Sequence, residues 1–216
     1  IATGDSSNTV IDGMQAGSVL FISPPTCITT DTIFLKNITL RNGKNDNGGA
    51  INLKNVNLKL NNVQICNNTA TSGGGGIYLV TTTFPYIGPT TIIANNSKIH
   101  DNVSRDGGGL YSSESDIYLI NSKVSKNTTV NAGGGIEQSG GRLDIDGCSI
   151  DSNRAEGLSY SSGGGISYVG FLANIINSDI HDNFAPSTGG IIFFRAGTSG
   201  LLIGKLKNVN IYNNSY

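Results

Sequence analysis

Two short motifs alternate along most of this chain. An aliphatic residue followed after two spacers by an asparagine occurs at Ile65–Asn68, Ile99–Asn102, Val124–Asn127, Ile150–Asn153, Ile180–Asn183 and Ile211–Asn214. A glycine run ending in a small or aliphatic residue occurs at Gly48–Ile51, Gly74–Ile77, Gly107–Leu110, Gly133–Ile136, Gly163–Ile166 and Gly189–Ile192. The asparagines recur at intervals of 34, 25, 26, 30 and 31 residues. Periods of this length are typical of solenoids rather than globules.

The segments between the motifs carry a strand signal. Apolar and polar residues alternate in short stretches such as Val56–Leu60 and Ile117–Leu119, and alternation over a few residues predicts strands. Gly and Asn recur between these segments in each repeat, and both residues are favoured in turns. Three short strands in each repeat predict an all-β fold, a right-handed parallel β-helix of roughly eight coils. We expect residues 1–216 to form one such domain, as part of a longer chain or of an end-to-end assembly.

The repeated asparagines have a physical role in this arrangement. Stacked coils lie about 4.8 Å apart, so the same turn recurs directly above itself. Asparagine amides in that turn can bond to one another as a ladder inside the rod. The predicted ladder consists of Asn68, Asn102, Asn127, Asn153, Asn183 and Asn214. Asn also tolerates the left-handed backbone of tight turns, and the glycines permit positive φ at a second corner.

A leucine-rich repeat is the structural alternative. Leu60, Val63, Ile65, Asn68 and Ala70 fit its repeat pattern, and the coil length fits as well. That fold would place leucines and a helix or 3₁₀ turn in the other half of each coil. This chain has a glycine run and a further strand-like segment there, which favours the β-helix.

Composition narrows the range of partners. The formal net charge is -1 and charged residues are 13%, so nothing indicates a nucleic-acid surface. No run of about 20 apolar residues is available to span a bilayer as a helix. Cys27, Cys66 and Cys148 match no metal-site spacing, and buried free thiols are the simplest interpretation. We expect no cofactor and no metal.

The paired motifs resemble the repeats of the polymorphic outer-membrane protein family of adhesin-like proteins. That family carries GGA[ILV] and FxxN motifs on a right-handed parallel β-helix of the pectate-lyase-like superfold. Gly48–Ile51 matches the first motif, and the second appears with Ile or Val in place of Phe. The resemblance extends from about Thr32 to the last residues. It implies an extracellular or surface-exposed protein with an adhesive or structural role.

Two histidines lie at equivalent positions in their repeats. His100 and His181 both precede an Asp-Asn pair, and Ser125 and Asp151 hold the same position in the repeats between them. The row of His100, Asp151 and His181 on one face is a candidate glycan groove, although an ordinary solvated face is the favoured interpretation.

Catalysis on polysaccharides would need clustered carboxylates. The acidic residues of this chain are scattered, and the best cluster in sequence is Asp144, Asp146 and Glu137. We therefore expect a non-catalytic protein. The alternative is a carbohydrate-active enzyme, a lyase or hydrolase, or a tailspike-like glycan-binding protein.

Six N-x-S/T sequons are potential glycosylation sites. Asn102 and Asn127 belong to the predicted ladder, where a buried amide could not accept a sugar. The remaining candidates are Asn37, Asn67, Asn95 and Asn213. The alternative is that a chain rich in Asn, Ser and Thr contains sequons by chance.

Together these patterns predict an extracellular or cell-surface rod, either an adhesin passenger or a fibre subunit. Its partners would be other copies stacked end to end, or glycans or a host surface, and no nucleic acid. The loops that the rod displays to its partners would be Val80–Pro89 and Arg154–Ser162.

Overall fold

A computed structural model describes residues 9–23, 31–82, 89–157, 162–186, 192–196 and 203–216, with the backbone alone for 192–196. These residues form 23 strands, β1 to β23 in chain order, and contain no helix. The leucine-rich alternative is therefore wrong for the described part of the chain. The strands build three parallel sheets stacked along one axis, which confirms the all-β parallel β-helix. The coil count stays a prediction.

The first sheet is the largest, and each coil crosses it in two halves that meet at a bend. Its strands are β1 (Val10–Asp12), β3 (Thr32–Arg41), β6 (Asn57–Cys66), β9 (Thr90–Asn95), β10 (Lys98–His100), β13 (Ser115–Ile120), β14 (Lys123–Ser125), β17 (Arg142–Asp146), β18 (Ser149–Asp151), β21 (Leu172–His181) and β23 (Ile203–Tyr212). The residues at the bend have positive φ and are Asn37, Asn62, Asn96, Asn121, Gly147, Asn177 and Asn208. Asn and Gly tolerate this left-handed conformation better than other residues.

The second sheet follows the glycine runs. Its strands are β2 (Leu20–Ile22), β5 (Ile51–Lys54), β8 (Ile77–Val80), β12 (Leu110–Ser113), β16 (Ile136–Ser139), β20 (Ile166–Gly170) and β22 (Ile192–Ala196). Gly74, at this corner, has φ of 65°. A Cβ added at the next residue, Gly75, would lie 2.4 Å from the carbonyl oxygen of Gly108 in the adjacent coil. The predicted need for glycine at this corner is confirmed.

The third sheet is short and follows the repeated asparagines. Its strands are β4 (Lys44–Asn47), β7 (Thr69–Gly73), β11 (Val103–Ser104), β15 (Thr128–Thr129) and β19 (Arg154–Ala155). Each coil therefore runs through the first sheet, turns into the third, turns again at the glycines into the second, and returns to the first.

Parallel register places equivalent residues over one another, so the core consists of aliphatic columns. Inward positions of the second sheet align in the order Ile51, Ile77, Leu110, Ile136 and Ile166, and all five are fully buried. Burying one such side chain contributes about 1.5–3 kcal/mol. The outward positions between them form equivalent columns on the surface, and these columns carry the candidate functional groups.

The two surface loops predicted from the sequence lie partly outside the described residues, and the second begins with strand β19, Arg154–Ala155. Residues 83–88 and 158–161 belong to that undescribed part, as does Cys27. Cys66 and Cys148 are free and buried, as expected for thiols with a packing role.

Candidate functional site

The repeated asparagines stack as a continuous amide ladder at the turn between the first and third sheets. The Nδ2 of Asn102 donates to Oδ1 of Asn127 at 3.0 Å, and its other hydrogen goes to the Ile65 carbonyl at 3.0 Å. The same pair of bonds recurs at Asn68, Asn127, Asn153 and Asn183, and Asn214 receives the last amide. Asn68, Asn102, Asn127, Asn153 and Asn183 are fully buried. Buried amides with every hydrogen bonded escape the cost of desolvation.

One detail of the turn differs from the expectation. The left-handed conformation falls on the residue before each ladder asparagine, namely Asn67, Asp101, Lys126, Ser152, Asp182 and Asn213, and on Asn42 at the equivalent position of the first such turn. The ladder asparagine is therefore required for its amide, while the preceding residue takes the strained φ. At the first of these turns Gly43 replaces the asparagine, and its backbone N–H donates to Oδ1 of Asn68 at 2.8 Å.

A second polar column lies immediately after the bend of the first sheet, and sequence reasoning missed it. The Oγ of Ser122 accepts the backbone N–H of Ser97 at 3.1 Å, and Sγ of Cys148 accepts that of Ser122 at 3.3 Å. The Oγ of Ser178 accepts the N–H of Cys148 at 3.0 Å. Burial raises the pKa of the Cys148 thiol to about 11. The signal in the sequence was a small polar residue directly after four of the bend residues, Asn96, Asn121, Gly147 and Asn177.

The two histidines lie in one outward column of the first sheet. Strand register places His100 beside Ser125, Ser125 beside Asp151, and Asp151 beside His181. Nδ1 of His100 lies 2.6 Å from Oδ2 of Asp101, and Nδ1 of His181 lies 2.6 Å from Oδ2 of Asp182. The structure thus brings the predicted row together on one face. Its use as a glycan groove stays a prediction.

Asp151 is recessed between the histidines. Its side chain is 7% exposed and its Oδ1 lies 2.8 Å from Nζ of Lys123. Burial alone would raise its pKa, but the Lys123 ammonium and the Ser149 hydroxyl outweigh burial and hold the pKa below its usual range. The Asp151 carboxylate is therefore ionised, and it already pairs with neighbouring side chains of the same chain. The adjacent cavity, of about 330 Å³, is lined by Lys98, Lys123 and Asp179 rather than by the histidines.

The expected cluster of three carboxylates does not form. Asp144 and Asp146 point outward from β17 in the first sheet, whereas Glu137 lies on β16 in the second. Residues close in sequence are separated because the chain turns at Gly140 and Gly141, both with positive φ, between the two strands. Asp144 and Asp146 share one outward strand face, as the sequence indicated, and Glu137 lies apart from them.

Glu137 instead occupies an unusual environment of its own. It lies beside Tyr111 in register, and Tyr111 stacks on Tyr78 with ring centroids 5.1 Å apart. Burial raises the pKa of Glu137 to about 8, and the negative charge of Asp106 adds to the rise against an opposing bond from the Gly107 N–H. Its Oε2 is buried without a hydrogen-bond partner among the described residues. A carboxyl in this setting is largely protonated at neutral pH.

The sequon asparagines differ in accessibility. Asn67 and Asn213 are exposed and lie at positive-φ turns, while Asn37 and Asn95 are partly buried. Oδ1 of Asn37 accepts the Nδ2 of Asn62 at 3.0 Å, within a column of amides at the bend. Asn102 and Asn127 are fully buried in the ladder. Access to a sugar-transferring enzyme therefore favours Asn67 and Asn213.

Within the residues that the structure describes, no group of three or more His, Cys, Asp or Glu side chains is arranged to hold a metal ion. In the same part of the chain no helix is long and apolar enough to cross a bilayer. Comparison of the chain with protein-family models, with curated proteins and with solved structures found no match.

Proposed function

We propose that this chain is a non-catalytic β-helix of the extracellular space or cell surface, with an adhesive or structural role. The observation that carries the proposal is the unbroken amide ladder from Asn68 to Asn214. It ties each coil to the next through buried hydrogen bonds, and it favours a stiff rod over a deformable binding domain. A stiff rod is suited to reach and to the display of surface columns.

The carboxylates described above also favour a non-catalytic role. Asp151 is held by Lys123, and Asp144 is held by Arg142 and Asn174 at 2.6 and 2.8 Å. The Glu137 oxygen that lacks a partner is closed to solvent. An acid–base pair on a polysaccharide would require two accessible carboxyl groups of different pKa on the same face.

The finer part of the proposal is an adhesin passenger or fibre subunit similar to the polymorphic outer-membrane proteins. The motif at Gly48–Ile51 and the alternation of both motifs support it. The partners would be a host surface or its glycans, or other copies of the chain stacked coil on coil. Sugars attached at Asn67 and Asn213 would project from the turns and leave the ladder intact.

A glycan-binding protein of the tailspike kind is the second candidate. A cavity of about 360 Å³ on the first sheet favours it, since Tyr118, Arg142, Asp144 and Asn174 line that cavity. Its volume is in the range of small-molecule sites.

The test uses the native protein that carries this chain. Antibodies against residues 1–216 should label intact cells or the culture medium, and external protease should remove the label from intact cells. Beads coated with the chain should adhere to host-cell or glycan-coated surfaces, while the chain should leave polysaccharides uncleaved. Label found solely inside lysed cells, or release of oligosaccharides by the purified chain, would overturn the proposal.

A further inference from the structure

The outer face of the first sheet carries a furrow along the rod axis. One outward column runs from Phe34 through Lys59, Ile93, Tyr118 and Asp144 to Asn174. A second column, two residues later in each strand, runs from Lys36 through Asn61, Asn95, Ile120 and Asp146 to Ile176. The residues between the columns point into the core, so the floor of the furrow is backbone. Cavities of about 360 and 470 Å³ lie within it.

The 360 Å³ cavity is built from an aromatic ring and planar polar groups. The guanidinium of Arg142 lies 5.8 Å from the Tyr118 ring centroid, and its Nη2 lies 2.6 Å from Oδ2 of Asp144. The Nδ2 of Asn174 donates to Oδ1 of the same carboxylate at 2.8 Å. Asp146 is fixed in a similar way by Nδ2 of Asn177 at 2.9 Å. These groups are held in place by one another before any ligand arrives, which lowers the entropic cost of binding.

The charges in this cavity balance. Arg142 and Lys205 face Asp144 and Asp146, two cations against two anions. A strongly charged ligand would be repelled by one pair as much as it is attracted by the other. Each carboxylate keeps acceptor capacity beyond the bonds described above. The site therefore suits a neutral ligand rich in hydroxyl groups.

The 470 Å³ cavity repeats the combination at another point of the furrow. Phe34 is 69% exposed, and Nζ of Lys59 lies 5.4 Å from its ring centroid. Asn61 and Asn95 contribute amides to the same cavity. Phe34 and Tyr118 are three strands apart in one column, which is about 14 Å along the axis. Two aromatic platforms in line favour an extended polymer over a compact molecule.

We propose that this furrow binds a neutral, linear oligosaccharide lying along the rod axis, with Tyr118 and Phe34 as stacking platforms and Arg142, Asp144 and Asn174 as hydroxyl-recognising groups. The apolar faces of pyranose rings pack on aromatic side chains, while their hydroxyls bond to planar amide, carboxylate and guanidinium groups. The proposal rests on the adhesive function, and names the ligand class and the residues that bind it. It places the saccharide on different residues from the histidine column.

The test is titration calorimetry of the chain with neutral linear hexasaccharides of the β-glucan, mannan, galactan and chitin types, each with its disaccharide. A heparin-derived hexasaccharide serves as the acidic comparison. Because the chain has no tryptophan and 8 tyrosines, quenching of tyrosine fluorescence gives a second readout. We expect at least one neutral hexasaccharide to bind, and its disaccharide to bind with an affinity lower by a factor of about ten or more. The acidic hexasaccharide should bind more weakly than both the neutral hexasaccharide and its disaccharide.

Tyr118→Ala should weaken hexasaccharide binding about tenfold, whereas Tyr118→Phe, which keeps the ring, should stay within about threefold. Tyr212→Ala is the matched control, because Tyr212 is half exposed on the same sheet and stacks on His181 instead. Phe34→Ala, at an exposed site outside the core, should weaken the hexasaccharide and leave the disaccharide unchanged. It keeps the proposal testable if Tyr118→Ala fails to fold.

Three results would overturn the furrow proposal. The first is that no neutral hexasaccharide binds, and the second is that the acidic hexasaccharide binds better than the neutral ones. The third is that Tyr212→Ala weakens hexasaccharide binding as much as Tyr118→Ala does. The last outcome would place the ligand on the histidine column. These results are independent of surface labelling. A surface-displayed chain that binds no neutral saccharide would leave the adhesive function standing, and an intracellular chain that binds one would leave the furrow standing.

Discussion

The Nδ2 of Asn127 donates to the Oδ1 of Asn153 at 3.0 Å, and the same Oδ1 also accepts the backbone N–H of Asn127 at 3.1 Å. One side-chain oxygen thus closes two bonds to the adjacent coil. The remaining Nδ2 hydrogen of Asn127 reaches the Ile99 carbonyl at 2.9 Å. A single amide therefore links three successive coils of the rod.

Removing one amide from the ladder should be costly. In Asn127→Ala the Asn127 backbone N–H keeps its acceptor on Asn153, but the buried Oδ1 that accepts from Asn102 is lost and so is the donor to Ile99. Each buried group left unpaired costs about 1–3 kcal/mol, so the free energy of unfolding in urea should fall by about 3 kcal/mol or more. Asn61→Ala, at an exposed strand position with ordinary φ, is the control and should lose about 0.5 kcal/mol or less. Equal losses in both variants would mean that the ladder contributes no special stability.

The glycine corner should reject even a methyl group. In Gly75→Ala the new Cβ would lie 2.4 Å from the Gly108 carbonyl oxygen, and backbone atoms of Val103 are also within 3 Å. Relief requires neighbouring coils to separate, so we expect a loss of more than about 3 kcal/mol or failure to fold. Gly17→Ala is the matched control, since a Cβ there meets no atom within 4 Å. Thermal unfolding followed by circular dichroism measures both, and a normal melting temperature for Gly75→Ala would contradict the packing at this corner.

Cys148 should tolerate serine better than alanine. Its sulfur accepts the Ser122 N–H at 3.3 Å, and the equivalent residues in neighbouring coils are serines. Cys148→Ser keeps an acceptor in the column and should cost about 1 kcal/mol, while Cys148→Ala leaves the buried Ser122 N–H unpaired and should cost about 1–3 kcal/mol. Urea unfolding of the two variants gives the comparison. A more stable alanine variant would show that the column acts by packing alone.

Glu137 should make the protein less stable as pH rises. Its pKa is about 8 in the folded chain against an ordinary value of 4.5, so between these values the folded state holds a proton that the unfolded state has lost. The contribution of Glu137 to stability is then greatest below about pH 4.5 and falls by about 1.4 kcal/mol per unit towards pH 8. Glu137→Gln should remove this slope and be the more stable form at pH 9.

The control for this prediction is Glu156→Gln. Glu156 is exposed and pairs with Arg154 at 3.0 Å, so this variant should keep the slope of the parent protein. Urea unfolding between pH 5 and pH 9 provides the data. Parallel stability curves for the parent and Glu137→Gln would show that this carboxyl is ionised in the folded state.

The ladder could be predicted from the sequence because the same residue type recurs, as at Asn68 and Asn102. Each copy follows an aliphatic residue by three positions, and the intervals are those of a solenoid repeat. The column of Ser97, Ser122, Cys148 and Ser178 could not, since serine is common throughout the chain and its repeat is obscured by cysteine. Glu137 was misplaced for another reason. Its surroundings come from Tyr111 in the adjacent coil and from Asp106, which precedes the glycine run of that coil, and strand register decides such contacts.

The ladder amides all point the same way along the axis, because each Nδ2 donates to an Oδ1 later in the chain. The dipoles of these amides add, so the ladder has a direction along the rod axis. A duplicated repeat inserted between two others would keep the same direction. Its asparagine Oδ1 would accept from the preceding coil, and its Nδ2 would donate to the following coil. The rod can therefore lengthen by gene duplication without redesign of its interior.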